Sequence, residues 1–194
     1  MKGDTPPGAT PLTPEEEDGL IPAHLTLRQE LNELEQANIL EAETWLLGRR
    51  RSKVVADSAF LKELHRRMFG RVWKWAGEYR KADRNIGVPW PRISYETEAL
   101  CREVDFWRKE QVYPPDELAV RFHHKLVWIH CYPNGNGRHS RLAADLLVVE
   151  LGRGRFSWGS ASLDAPGDVR RRYIDALHCA DDNDPGPLLA FARS

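Results

Sequence analysis

The chain is short of cysteine, of long apolar runs and of net charge, and each shortage removes a class of protein. Cys101, Cys131 and Cys179 are its only cysteines, an odd number without a CxxC pair, so neither a disulfide framework nor a zinc knuckle is indicated. No apolar run approaches the ~20 residues needed to span a bilayer, and the N-terminus lacks a basic-then-apolar signal segment. A cytoplasmic protein with no membrane association is expected. Lys and Arg number 28 against 29 Asp and Glu, a net charge of -1, which argues against a dedicated nucleic-acid binder. Neither an internal repeat nor a low-complexity segment is visible. What is present is ordinary for a globular protein: 194 residues, 41% hydrophobic and 29% charged, suit one domain with a real core.

Residues 1–20 are rich in Pro, Gly, Thr and acids and have almost no apolar periodicity, which predicts a disordered N-terminal tail ahead of a single domain at 21–194. Leu27, Leu31, Leu34, Ala42 and Trp45 then predict a long helix over about 26–48, with Thr26 and Gln29 at capping-box spacing. The arginines after it, Arg49, Arg50 and Arg51, read as a solvated C-terminal cap that complements the helix dipole rather than as a nucleic-acid patch. A second helix is expected from Ser58 to Phe69, burying Phe60, Leu61, Leu64 and Met68. Between Trp73 and Ile93 the helical rhythm stops, and Gly77, Gly87, Pro89 and Pro91 punctuate short extended pieces, which reads as a hairpin or an irregular flap. Helices over 96–109, 116–130 and 168–179 make the domain mostly α.

The richest stretch in chemistry runs from His130 to Arg138, His-Cys-Tyr-Pro-Asn-Gly-Asn-Gly-Arg. Pro133 disfavours helical geometry at Tyr132, so the helix before it should end close to His130. Leu142, Ala143, Leu146, Leu147 and Val149 begin another helical run, which puts the glycine loop at a helix N-terminus. Unpaired backbone N–H groups and a partial positive charge make such an end an anion cradle, and Gly135 and Gly137 let a phosphate come close. Arg138 and Arg141, three apart, share a helix face and can reach one polyphosphate. His130 would face that cradle, and an imidazole can take a proton from an attacking hydroxyl at neutral pH. Cys131 is a poor nucleophile candidate, because adjacent residues at a helix end point about 100° apart. His123 and His124 are read as packing or supporting residues of the helix that presents His130, with a metal site as the alternative.

These residues resemble the Fic family, whose signature is His-x-Phe-x-(Asp/Glu)-Gly-Asn-Gly-Arg, followed after two residues by a second arginine. His130, Gly135, Asn136, Gly137, Arg138 and Arg141 fall on the signature, Tyr132 replaces its phenylalanine, and Asn134 replaces its acid. The resemblance extends through Leu64–Phe69, Trp73–Gly77, Asn85–Val88 and Arg121–His124, and looks most like the subgroup called mobile mystery protein B, a label that states no activity. It implies a Fic-type helical bundle with a short β-hairpin flap near the active site. It further implies protein adenylylation: AMP passes from ATP to a Ser, Thr or Tyr hydroxyl of a target protein, with His130 as general base.

In that family the glycine loop and the two arginines hold the phosphates, which here are Gly135, Asn136, Gly137, Arg138 and Arg141, and the acid binds Mg²⁺. Glycine at 137 favours AMP transfer over the phosphoryl transfer of the Doc-type branch, which has lysine there. Asn134 offers magnesium a neutral oxygen without charge, so activity is expected to be low. The flap, here Asn85, Ile86, Gly87 and Val88, pairs with the backbone of the target. Two alternatives stand beside the enzyme: a catalytically weak module that binds nucleotide and protein, and half of a toxin–antitoxin-like pair with an antitoxin-like partner. Many relatives carry an inhibitory helix of pattern (Ser/Thr)-x-x-x-Glu-(Gly/Asn). Thr26–Glu30 matches its first five positions, which makes Glu30 the candidate inhibitory residue, with Glu35 as a second choice. The plainer reading is that Thr26 caps a helix and Glu30 is a solvated charge.

Overall fold

The computed structural model describes residues 13–22, 28–48, 55–160 and 167–194. Thr26 and the arginines at 49–51 lie outside them. The part of the expected tail from residue 13 onward is folded. Thr13 and Glu16 form a reciprocal capping box on the short helix α1 (Pro14–Glu17), with proline at its first position. Beyond it Leu20 bridges Trp73, Ile21 N–H donates to the Val72 carbonyl at 2.8 Å, and Lys74 N–H donates to that of Gly19 at 2.8 Å. Gly19 is needed there, because a Cβ would stand 2.5 Å from Cδ1 of Trp75. A two-residue docking site has no period, so composition alone made this segment look like tail.

The long helix α2 (Arg28–Leu47) falls within its expected span, and its inner face carries Glu35 and Asn38 as well as Leu31 and Ala42. Helix α3 (Ser58–Phe69) has the expected limits. Asp57 accepts the Phe60 N–H at 2.7 Å, and Phe60, Leu61, Leu64, His65, Met68 and Phe69 are buried. Asn38 ties α2 to the end of α3, donating to the Arg67 carbonyl at 2.9 Å and accepting the Arg71 N–H at 3.0 Å. Helix α4 (Ile93–Lys109) starts three residues before the expected limit, led in by a 3-10 turn at Trp90–Arg92, which places Ile93 in the core.

Helices α5 (Pro115–Ile129) and α6 (Asn136–Glu150) form the central pair, packed on α4 and α3 respectively. Helix α7 (Asp168–Asp181) extends slightly past its expected end and packs with a further helix, α8 (Gly186–Ala192), against α5. The architecture is thus mostly helical.

The expected β-hairpin is not seen: the described residues contain no strand, and residues 79–88 are irregular chain. A hairpin needs two segments that satisfy each other's amides. Here Arg80 N–H donates to the Cys131 carbonyl at 3.0 Å and Val88 N–H to the Ile129 carbonyl at 3.3 Å, so the flap pairs with the end of α5 instead of with itself. Pro89 and Pro91 have no N–H to offer to a ladder.

Candidate active site

Helix α5 ends on His130, whose backbone lies in the left-handed region at φ 56, ψ 62, with its N–H donating to the Leu126 carbonyl at 3.1 Å. A non-glycine residue held there turns the chain sharply as it leaves the helix. His130 is only 7% exposed. Burial first, then the positive charges of Arg80 and Arg84, lower its pKa to about 4, opposed by a hydrogen bond to the Val127 carbonyl. The ring is therefore neutral at pH 7. A neutral imidazole carries one lone-pair nitrogen, the form that a general base needs.

The loop after it is braced from inside. The Asn136 side chain accepts the Tyr132 N–H at 2.9 Å and donates to the Tyr132 carbonyl at 2.8 Å, so its amide closes the loop. Tyr132 stacks on His65 at 3.7 Å between ring centroids. His65 accepts the Gly77 N–H at Nδ1, 3.0 Å, which fixes Nε2 as the donor to the Asn134 carbonyl at 3.1 Å. Burial drives the His65 pKa well below its ordinary value, so this bridge between flap and motif loop is uncharged.

Gly135, at φ 78, caps α6, and a Cβ there would meet the Phe69 ring at 2.6 Å. The first hydrogen bond into the helix comes from His139 to the Gly135 carbonyl at 2.9 Å, and the N–H groups of Asn136, Gly137 and Arg138 lie ahead of it. A Cβ at Gly137 would meet only Nη1 of Arg141, at 3.6 Å, so that face of the cradle is open.

The two arginines diverge. Arg138 pairs with Glu35 of α2 at 2.7 Å and lies over the Phe69 ring, 5.0 Å from its centroid. Glu35, nearly inaccessible, also accepts the Trp73 indole N–H at 2.6 Å. Arg141 turns the other way, over Tyr173 of α7 at 5.6 Å, and the Tyr173 hydroxyl stands 3.1 Å from Nε2 of His123. Glu30, five residues before Glu35 and so about 140° around the helix, is exposed.

Flap residues divide as well. Asn85 and Ile86 face solvent, whereas Val88 is buried and anchors the segment. Gly87 has φ 94 and touches the catalytic candidate, since a Cβ would sit 2.6 Å from that of His130. The Arg84 side chain is buried beside them and pairs with Glu16 of α1, while its Nε lacks a hydrogen-bond partner. Cys131 is buried 3.5 Å from the Thr97 hydroxyl, and burial pushes its thiol up to about 11, which disfavours the thiolate a nucleophile needs. His123 is buried against Tyr173, and His124 bonds Asp181 at 2.7 Å.

Asn134 offers magnesium only a neutral amide oxygen. Its Oδ1 accepts the Gly135 N–H at 2.6 Å, and Glu35, the acid that reaches the motif, is held by Arg138 and Trp73. Magnesium is bound through one or two carboxylates together with substrate phosphates, and the donor set here supplies an already engaged neutral amide. Among the described residues no three His, Cys, Asp or Glu side chains gather as metal ligands.

Sequence spacing brought out His130, the glycines and both arginines. His65, Arg80 and Arg84 reach the site from other elements, and nothing in their local pattern separates them from surface or core residues, whereas Glu35, the second choice for an inhibitory acid, reaches Arg138 from α2.

The sequence matches the Fic/DOC family over residues 56–148. It is similar to the protein adenylyltransferase Fic of Aedes aegypti, 29% identical over 133 residues, which cover 66% of this chain and 25% of that protein. The chain thus spans about a quarter of the length of that relative. The fold is similar to the N-terminal Fic domain of the VirB-translocated effector Bep8 from Bartonella sp. 1-1C, with a TM-score of 0.70 at 15% identity, covering 89% of both chains. It is also similar to the VirB-translocated effector BepC of Bartonella tribocorum with bound AMPPNP, with a TM-score of 0.69 at 16% identity, covering 93% of this chain and 97% of that one. The match to the Fic/DOC family thus covers a little under half of the chain and includes the stretch from His130 to Arg141.

Proposed function

We propose that the chain is a Fic-type protein adenylyltransferase, a nucleotidyltransferase that moves AMP from ATP to a hydroxyl side chain of a target protein. The observation that carries this is a neutral, buried His130 held at one helix end beside the open N–H groups that begin the next. In the step we infer, the target's Ser, Thr or Tyr oxygen attacks the α-phosphorus of ATP. Its proton passes to the lone-pair nitrogen of His130, the bond from phosphorus to the bridging oxygen breaks, and pyrophosphate leaves. The backbone around Gly135 and Gly137 receives the phosphates, Arg141 stands beside that cradle, and Arg138 joins once Glu35 releases it. Exposed Asn85 and Ile86 suit an extended target segment. No step relies on magnesium, which would come as the partner of ATP.

The name of the mosquito relative and the AMPPNP in the Bartonella structure support this choice of reaction and nucleotide. The motif stretches from Leu64 to His124 support placement in the mobile mystery protein B subgroup, and an antitoxin-like partner and a cytoplasmic setting belong to the same reading. No helix among the described residues is long and apolar enough to cross a membrane.

A second reading, a catalytically weak nucleotide- and protein-binding module, is favoured by the engagement of Arg138 with Glu35 and of the Asn134 amide with Gly135. Labelled ATP with host lysate separates the two. Transfer by the wild type that disappears in His130→Ala, with ATP binding retained, is the expected result. Equal labelling by both proteins removes His130 from the mechanism, and ATP binding without transfer in either favours the binding module.

A further inference from the structure

Arg80 stands outside the residues that the motif brings forward, yet its side chain has no solvent exposure although it belongs to an irregular loop. A guanidinium tolerates such a place only when acceptors meet its N–H groups. Four backbone carbonyls do so. Nε donates to His130 at 2.7 Å, Nη1 to Ala82 at 2.8 Å, and Nη2 to Val88 and, at 3.5 Å, to Ile129. Two of these carbonyls close α5, where unpaired oxygens carry the negative end of the helix dipole, and the other two belong to the flap. Main-chain bonds from Arg80 to Cys131 and from Val88 to Ile129 run alongside.

The carbonyl that Nε holds belongs to the residue in the left-handed region. A non-glycine residue keeps that conformation only where its surroundings over-determine it. Gly87 closes the same junction from the flap, lying so near that a Cβ would be 2.8 Å from Nη2 of Arg80 and 2.6 Å from Cβ of His130.

We propose that Arg80 is a positioning residue for His130: its buried fork fixes the left-handed turn that presents the imidazole and joins it to the flap, so that base and flap keep one geometry. The proposal rests on His130 being the base, as argued above. Arg80 itself touches neither nucleotide nor target hydroxyl. Its charge also faces the ring, together with that of Arg84; Asp83 lies 3.9 Å from Arg80, Glu16 pairs with Arg84, and α5 contributes the Val127 carbonyl.

Arg80→Lys keeps the charge and loses the fork, whereas Arg80→Gln loses both. Each is expected to lower kcat by about a hundredfold, the scale of a 1 Å displacement of a reacting group, while ATP affinity stays near that of the wild type. The imidazole pKa of His130, followed by NMR, should stay low in Arg80→Lys and rise from about 4 toward its ordinary value in Arg80→Gln. The three-bond coupling that reports φ of His130 should change in both. A wild-type kcat in Arg80→Lys, or an ATP affinity that falls as far as kcat, overturns the proposal.

If the wild type transfers nothing, the adenylyltransferase reading fails by itself, and the His130 coupling still decides: unchanged coupling in both variants overturns the positioning role. If neither variant folds, the wild-type guanidinium is read directly. Slowly exchanging protons coupled across hydrogen bonds to the His130 and Val88 carbonyls support the proposal, and freely rotating, uncoupled Nη groups overturn it.

Discussion

Glu35→Gln is expected to lower stability and to raise nucleotide affinity, two effects that a merely structural residue would not combine. In the folded chain Glu35 is 4% exposed and its partner Arg138 17%, with 2.7 Å between them. Breaking a fully buried ion pair by truncating one member costs about 3–5 kcal/mol. Glutamine retains an oxygen for the Trp73 indole, and Arg138 keeps some contact with water, so the expected cost is smaller, about 1–3 kcal/mol. A phosphate that takes Arg138 must first displace the Glu35 carboxylate. A charge-assisted hydrogen bond is worth about 1.5–3 kcal/mol, so removing the competitor should tighten ATP binding by about tenfold to a hundredfold. Urea denaturation reads the first quantity, and calorimetric titration with a non-hydrolysable ATP analogue reads the second. A folded Glu35→Gln protein with unchanged or weaker ATP affinity would refute the idea that Arg138 is a phosphate ligand held back by Glu35. If Glu30→Gln tightens binding instead, the restraint belongs to Glu30.

Asn134→Asp should lower the metal concentration giving half-maximal transfer and raise the rate, because one carboxylate oxygen can keep the Gly135 N–H while the other faces the phosphates as an anion; metal titrations of both proteins check this, and coincident curves would mean that the position does not meet the metal. Stability should also fall as the solution is acidified from pH 7 to pH 5. Burial lowers His123 to about 3 and His130 and His139 to about 4, with His65 lowered as well, so the unfolded chain binds more protons below about 6.5 and the stability present above that pH is lost toward the folded values. Asp145, raised to about 6 by burial, acts in the opposite direction as one group against four. Urea midpoints at the two pH values measure the balance, and a higher midpoint at pH 5 would contradict it.

Local chemistry wrote much of this protein into its sequence. Apolar spacing placed α3, Pro133 and the following glycines placed the end of α5 and the start of α6, and the motif put His130 at the first of these helix ends and Gly135 at the second. Each of those signals acts within one or two helical turns, so the neighbouring residues suffice to read it. Arg80, His65 and Arg84 were not legible in that way, and Glu35 stood only second to Glu30. Arg80 looks like any loop arginine until the carbonyls of Ile129 and His130 are brought to it, and the choice between Glu30 and Glu35 is made only when Arg138 and Trp73 close over Glu35. The same holds for Leu20 and Gly19, whose docking on Trp73 and Trp75 has no periodicity, and for the flap, whose short extended pieces suggested a hairpin until the end of α5 supplied their partners. Helix propensity, capping and turn chemistry are properties of neighbours along the chain, and they determined the elements and the motif. The partner of a buried charge or an unpaired carbonyl is a property of neighbours in space, which only packing of distant segments decides.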